Sequence, residues 1–318
     1  TAAFAAAAGH DAARPAAAHG RAAVQGAPPV HATPPVTLTG AAADTLRAAI
    51  LADRRDTETW LRSAATSYLA TVSRVDFGDA RTLVVGRAAG CAVRLDDPAI
   101  APHHLSVTVD GDSFHVAALD SGATFRAGGR DTTRATLGPG SIGLGRYTLR
   151  LSHQRFPALI VFDPRSPRFS LYKGLAYFPV DFRYRFVAPL TPNPSPDTTV
   201  IMSTRGNARR AVRVGWFDLA IAGRPCRLEV HRLLEPGVDE HDLSVFFRDA
   251  TTGHETYAVG RYVDPVRQND GRWLVDFNLA YNPACAFSPH YNCPIPSRAN
   301  TLPVAVRAGE EDAHYPHE

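Results

Sequence analysis

The chain has 318 residues, enough for two hydrophobic cores, with 45% hydrophobic and 20% charged side chains, an ordinary balance for a soluble globular protein. A formal net charge of +3, with no basic stripe interleaved with aromatics, argues against a nucleic-acid partner. No apolar run approaches the roughly 18 residues that cross a bilayer, and 4 cysteines are too few for a disulfide scaffold.

Of 34 basic side chains only Lys173 is a lysine, and with so many alanines this fits the codon bias of a GC-rich genome. The chain begins at Thr1, which implies that an initiator or leader has been removed. Ala5–Ala8 is too short an apolar run, and lacks the basic flank, to be a signal peptide. The expected compartment is the cytoplasm, with export after processing left open.

Residues 1–40 are Ala, Gly, Pro and His with hardly a large apolar side chain. Such a segment cannot offset its ordering entropy and is expected to be disordered. His10, His19 and His31 lie in it as weak metal candidates. Over residues 41–75, Leu46, Ile50, Leu51, Trp60, Leu61 and Leu69 fall at helical spacings. With Asp44 and Asp56 as N-cap candidates, they predict one or two helices ending near Tyr68.

From residue 76 to 155 the pattern changes to short apolar or alternating runs: Arg81–Arg87, Cys91–Leu95, Leu105–Val109, Phe114–Leu119, Ala123–Arg126 and Ile142–Leu151. Turn signals separate them at Asp110-Gly111, Gly128-Gly129 and Gly138-Pro139-Gly140. Many short strands with regular turns predict a sandwich or barrel.

Three stretches in order, VVGRAAGCAVRLDDPAIAPHHLSV, LDSGATFRAGG and LGPGSIGLGRYTLRL, resemble the forkhead-associated (FHA) domain. The resemblance implies a β-sandwich and makes Arg87, in Gly86-Arg87, the phosphate-contacting arginine and His104 the structural histidine. It also exposes two departures. Ala101 stands where the family has a phosphate-contacting serine, and Gly122-Ala123 stands where it has the asparagine that holds the partner's backbone. With two of three donors gone, most charge-assisted phosphate contacts are lost. The expectation is an FHA-like scaffold without phosphothreonine binding, whose face remains available to a protein partner.

Residues 156–318 form a second β-rich unit. Alternation over Arg213–Ile221 and Arg227–Val230 predicts antiparallel strands with one wet face, joined by a hairpin turn at Ala222-Gly223-Arg224. Trp273–Pro303 opens as a strand and then carries Pro283, Pro289, Pro294, Pro296 and Pro303 among aromatics, cysteines and asparagines. Neither helix nor central strand tolerates prolines at that density. The segment is expected to be a functional loop pinned to a core.

KGLAYFPVDFRYRF, FRDATTGHETYAVGRY, DFNLAYNPACAFSPHYNCPIP and NTLPVAVRAGE resemble, in that order, the bacterial family known as domain of unknown function 1684. The resemblance covers roughly residues 45–312 and implies no reaction and no cofactor. The expected architecture is mostly β: an FHA-like sandwich fused to a second antiparallel β domain, preceded by short helices.

The candidate site lies in the C-terminal unit. If Glu255–Tyr262 is a strand, Glu255, Tyr257 and Arg261 share a face, with Arg248 at the turn before it. The proline-rich loop adds Asp276, Asn278, Tyr281, Cys285 and His290, and Lys173 stands nearby in YKGLAYFP. Glu255, Tyr257, Cys285 and His290 are the catalytic candidates. Lys173, Arg248, Arg261, Asp276, Asn278 and Tyr281 are the ligand-binding ones. A carboxylate beside a guanidinium suits a small polar or anionic ligand anchored by Arg261. Against this stands a solvated sheet face with surface ion pairs of little energetic weight. Cys285, His290 and Cys293, in C-x4-H-x2-C spacing, are compatible with a nucleophile–base pair and with a disulfide. They are also compatible with buried thiols, or with zinc completed by Glu310, His314 or Cys226; no metal is assigned.

Overall fold

The computed structural model describes residues 32–313; His10, His19, His31 and His314 lie outside them. The first large element is one helix, α1 (Gly40–Ser63), followed by a 3-10 turn at Tyr68–Ala70. With no proline or glycine between Ala41 and Ser63 nothing breaks it, and the Glu58–Arg62 pair at 2.6 Å spans one turn. Asp44 and Asp56 therefore lie inside the helix, and Thr39 occupies the N-cap position. The presumed tail is also partly held. The Thr33 N–H donates to the Asp218 carbonyl and the Thr33 carbonyl accepts from Ala220, both at 2.8 Å.

Eleven strands then build the sandwich: β1 (Thr71–Asp76), β2 (Thr82–Gly86), β3 (Val93–Arg94), β4 (Leu105–Asp110), β5 (Ser113–Ala118), β6 (Phe125–Ala127), β7 (Arg130–Thr132), β8 (Arg134–Leu137), β9 (Gly140–Leu144), β10 (Tyr147–His153) and β11 (Pro157–Phe162). One sheet has the order β3-β2-β4-β5-β8 and the other β1-β11-β10-β9-β6-β7. Their inward side chains, Leu83, Val85, Val107, Phe114, Phe125, Leu149 and Leu159 among them, form one core. The expected strand Ile142–Leu151 is two strands, because Gly145 at φ 57° turns the chain. β1 pairs with β11 in a six-stranded sheet, so boundaries drawn at 75 and 155 cut inside it.

The C-terminal unit contains β12 (Arg185–Ala188), β13 (Thr191–Pro192), β14 (Thr198–Met202), β15 (Ala208–Ile221), β16 (Arg224–Leu233), β17 (Val245–Phe247), β18 (Arg261–Val263), β19 (Val266–Arg267) and β20 (Trp273–Asp276). Between the two halves lies α2 (Arg168–Leu171). The long β15–β16 hairpin turns through Ala222 and Gly223, at φ 49° and 75°, and its inner face meets Phe186, Val245, Phe247 and Val275 in the core. The halves pack directly, through a 2.8 Å bond between the Thr71 and Tyr291 hydroxyls and an Arg205–Asp76 pair at 3.2 Å.

The expected strand Glu255–Tyr262 is only Arg261–Val263. The reason is local. Asp249 Oδ1 accepts from the Thr251 N–H and from the Thr251 and Thr252 hydroxyls. The Thr251 carbonyl then accepts from the Glu255 and Thr256 N–H groups, and the Gly260 N–H bonds back to Tyr257, so turns hold the backbone that a ladder would need. Arg261 is buried and donates to Asp249 at 3.1 Å and to the Val306, Ala308 and Glu310 carbonyls at 2.7, 2.5 and 3.0 Å. Breaking a buried pair leaves an uncompensated charge. Arg261→Met and Asp249→Asn are each expected to lower unfolding free energy by about 3–5 kcal/mol, as read by urea denaturation. A loss below about 1 kcal/mol would show that the pair does not anchor the domain.

Candidate functional site

α1 lies across the C-terminal unit. Arg47 donates to the Val180 carbonyl, and Arg54 to those of Phe178 and Asn278, at 2.9, 2.9 and 3.1 Å. Beneath the helix, the loop after β20 folds back through a Tyr262–Tyr281 backbone bridge. Between them lies a cavity of about 440 Å³, within the range that holds a small organic molecule. Trp60 and Tyr68 line it from the N-terminal side, with Tyr177, Phe246, Tyr262, Tyr281, Phe287 and Tyr291 from the rest of the chain.

Polar groups interrupt these aromatic walls. Glu310 is buried, accepts from the Asn282 N–H at 2.7 Å and faces Tyr177 and Arg54. Burial pushes its carboxyl up to about 7 against the partial offset of these donors. Glu235 forms a two-bond pair with Arg209, both at 2.9 Å, yet burial again holds it at about 7. Asp264 accepts from the Tyr281 and Ser244 hydroxyls, each at 2.9 Å, and desolvation raises its carboxyl too. Asn282 donates through Nδ2 to the Glu311 carbonyl at 2.7 Å, which fixes its amide orientation. Its Oδ1 is then buried without a hydrogen-bond partner, a costly arrangement in a dry site.

Of the predicted catalytic and ligand-binding residues two line this cavity, Tyr281 and Asn278, joined by Cys293 and Glu310 from the thiol and zinc readings. The others do not converge on it. Arg261 has its guanidinium occupied by Asp249 and three carbonyls, so it cannot anchor an anion. Glu255 pairs with Arg307 at 2.7 Å on the surface, and that guanidinium draws its carboxyl below the usual range. Arg248 donates to the Val259 carbonyl at 2.9 Å. Asp276 is a buried partner of Arg185 and caps the turn at Phe277–Leu279, while Lys173 is exposed. His290 sits toward the sandwich, where burial and the charges of Arg168, Arg205 and Arg74 push it down to about 4.

Cys285 and Cys293 do meet: the Cys285 N–H donates to Cys293 Sγ at 3.3 Å. Both are free, buried thiols. Tyr257 donates to the Cys285 carbonyl at 3.2 Å and approaches its Sγ at 3.8 Å. The hydrogen bond from Cys293 leads the effects that lower the Cys285 thiol, whereas burial raises Cys293. The partner of Cys285 is thus the second thiol rather than His290. Cys226 lies away in the β15–β16 core, and among the described residues no three His, Cys, Asp or Glu side chains group to hold a metal.

Sequence reasoning missed Arg54, Asp264 and Glu235, and named Glu310 only as a possible metal ligand. A buried arginine between helical apolar positions was the available signal for Arg54; an isolated carboxylate in a loop gives none.

In the sandwich, Gly86 closes against the opposite loop, where a Cβ would meet the Pro102 carbonyl oxygen at 2.2 Å. His104 accepts from the Ala101 N–H at 3.1 Å and its Nε2 faces the Thr124 carbonyl at 2.8 Å. It thereby ties the two loops together. Arg87 is exposed and its Nε donates to the Ile100 carbonyl. Asp120 accepts from the His103 N–H at 3.2 Å, placing a carboxylate in the same loop cluster.

These features define an FHA-type sandwich joined to a second antiparallel β domain, and residues 83–142 match the FHA domain. Residues 170–311 match the family described as "Protein of unknown function (DUF1684)", and the chain belongs to that family. It is 35% identical to an uncharacterised protein of Haloarcula marismortui solved by NMR, covering 44% of this chain and 76% of that one, with a TM-score of 0.36. The FhaA FHA domain, solved with the intracellular domain of a second protein, is 21% identical over 25% of this chain and 78% of its own, TM-score 0.20. An FHA-1 domain of Mycobacterium tuberculosis is 20% identical over 26% and 76%, TM-score 0.19. No protein of curated function matches. No helix among the described residues is long and apolar enough to cross a membrane.

The raised carboxyl of Glu310 has a pH signature. Its folded pKa, about 7, lies above the ordinary 4.5, so its contribution to stability is complete below about 4.5 and is lost as pH rises through 7. One such group changes stability by about 1.4 kcal/mol per pH unit in that window. Glu310→Gln is expected to remove that share of the decline, leaving the share of Glu235, in melts taken from pH 4.5 to 7.5. An unchanged slope would show that Glu310 is ionised throughout.

Proposed function

We propose that the C-terminal domain binds a small polar organic molecule in the cavity beneath α1, with Tyr281 and Asn278 among its contacts. The observation that carries this reading is the unpartnered Asn282 Oδ1 beside the buried Glu310 carboxyl in an aromatic-walled space of about 440 Å³. A purely structural core closes such space and satisfies such groups. A ligand that donates hydrogen bonds and stacks on tyrosine rings would do both. A thermal-shift screen of one- and two-ring polar compounds tests the idea. Ligand at a hundred times its Kd adds about 2.7 kcal/mol. Ala284→Trp, at a half-buried wall position, is expected to abolish those shifts. Hits that survive Ala284→Trp would move the site elsewhere, and an empty screen would remove it.

A second reading follows from the FHA match: a protein partner docks on the loop face of the sandwich. Arg87 is free to reach a partner, but Ala101 supplies no hydroxyl and Asp120 adds negative charge near the loop. Unmodified protein is therefore expected to show no micromolar affinity for phosphothreonine peptides in calorimetry, and Ala101→Ser alone not to create it. Arg87-dependent micromolar binding would reverse this expectation.

A further inference from the structure

The geometry points to an organic cation as the occupant of the cavity, its charge seated against Asp264 and the neighbouring tyrosine rings. This rests on the reading of the cavity as a ligand site. Asp264 is an exposed residue of the cavity lining whose carboxyl is crowded by protein atoms. Two hydroxyls hold its carboxylate, those of Tyr281 and Ser244, and no cation among the described residues pairs with it.

The positive charges in the walls are already committed. Arg209 is spent on Glu235. Arg54 donates to two carbonyls and lies 4.5 Å above the centre of the Tyr177 ring, with its Nε alone left without a partner. Around them Asp53, Asp242 and Glu310 add further carboxylates, and His241 is the remaining titratable base at the wall. The space is left electronegative, which excludes an anion and attracts a cation.

The rings give that charge a seat. Phe246 and Tyr262 meet edge-to-face at 4.6 Å, and Tyr262 and Tyr281 at 5.8 Å. Aromatic faces beside a carboxylate are the arrangement that holds ammonium groups. Asn282 belongs to the same lining, and its buried Oδ1, without a partner, is an acceptor that an N–H donor would meet once the side chain turns toward it. A neutral polyol would use the acceptors but not the uncompensated charge of Asp264.

Three compounds of one shape separate the possibilities: 2-phenylethylamine, 2-phenylethanol and phenylacetate, titrated calorimetrically into the full chain at pH 8. The amine is expected to bind at least tenfold more tightly than the alcohol, with no detectable binding of the carboxylate. Asp264→Asn keeps a hydrogen-bonding side chain at that position and is expected to erase the amine's advantage while sparing the alcohol. Glu310→Gln, on a different wall, serves as a second test should Asp264→Asn unfold, and is expected to weaken the amine selectively. Alcohol or carboxylate binding as tightly as the amine overturns the cation assignment but leaves the cavity a ligand site. Binding by none of the three overturns both.

Discussion

The buried Asp249–Arg261 pair is the constraint on which the C-terminal domain turns. A guanidinium in an apolar interior is tolerated only when every donor finds an acceptor. For the two terminal nitrogens Asp249 supplies one, and the carbonyls of Val306, Ala308 and Glu310 supply three more. The segment Val304–Glu310, which forms no strand, is thereby held as firmly as one. Gly309 makes this approach possible: at φ 80°, a Cβ there would strike the Ala280 carbonyl oxygen at 2.4 Å. The charge that looked like a ligand anchor is what places Glu310 in the cavity wall. Arg261 acts on the site through the backbone it orders, without touching the space itself.

Much of the fold was legible because it rests on local pattern. The short strands of the sandwich, the hairpin turn at Ala222-Gly223 and the strand opening at Trp273 all follow from alternation and turn chemistry. Where local pattern misled, a side chain intervened. Glu255–Tyr262 has the alternation of a strand, but Asp249 and the threonines satisfy the backbone before it can pair. Thr33 shows the converse, a residue in a low-complexity stretch that gains order from the edge of β15.

The cavity was less legible, and its composition shows why. Its walls come from α1, the segment after β16, β18 and the loop beyond β20, and Asp53 and Glu310 in them stand more than two hundred residues apart in the chain. Tyr281 stood out because it lies in a proline-rich aromatic loop, and Asn278 because it alternates with Asp276. Arg54 and Glu310 look like surface charges until tertiary packing desolvates them. Spacing reports which face a residue takes, not which distant element covers that face.

The two halves spend their polar groups differently. In the sandwich, His104 and Gly86 preserve the loop geometry while Ala101 and Gly122 offer no donors, so scaffold survives where recognition chemistry has thinned. In the C-terminal unit, carboxyls are held buried near neutrality and one amide oxygen is left unmet. Structure alone does not require these features. A strained or unsatisfied group persists only where something outside the folded chain makes use of it or the surrounding core over-determines it. The core here over-determines Arg261, whose two terminal nitrogens make four bonds. It does not over-determine Asn282, whose amide is fixed by a single bond to Glu311 and whose oxygen faces no partner. Unmet buried atoms also occur at Ser203, Arg213 and His231, away from the cavity, so what sets Asn282 apart, together with Arg54, is its place in the cavity wall.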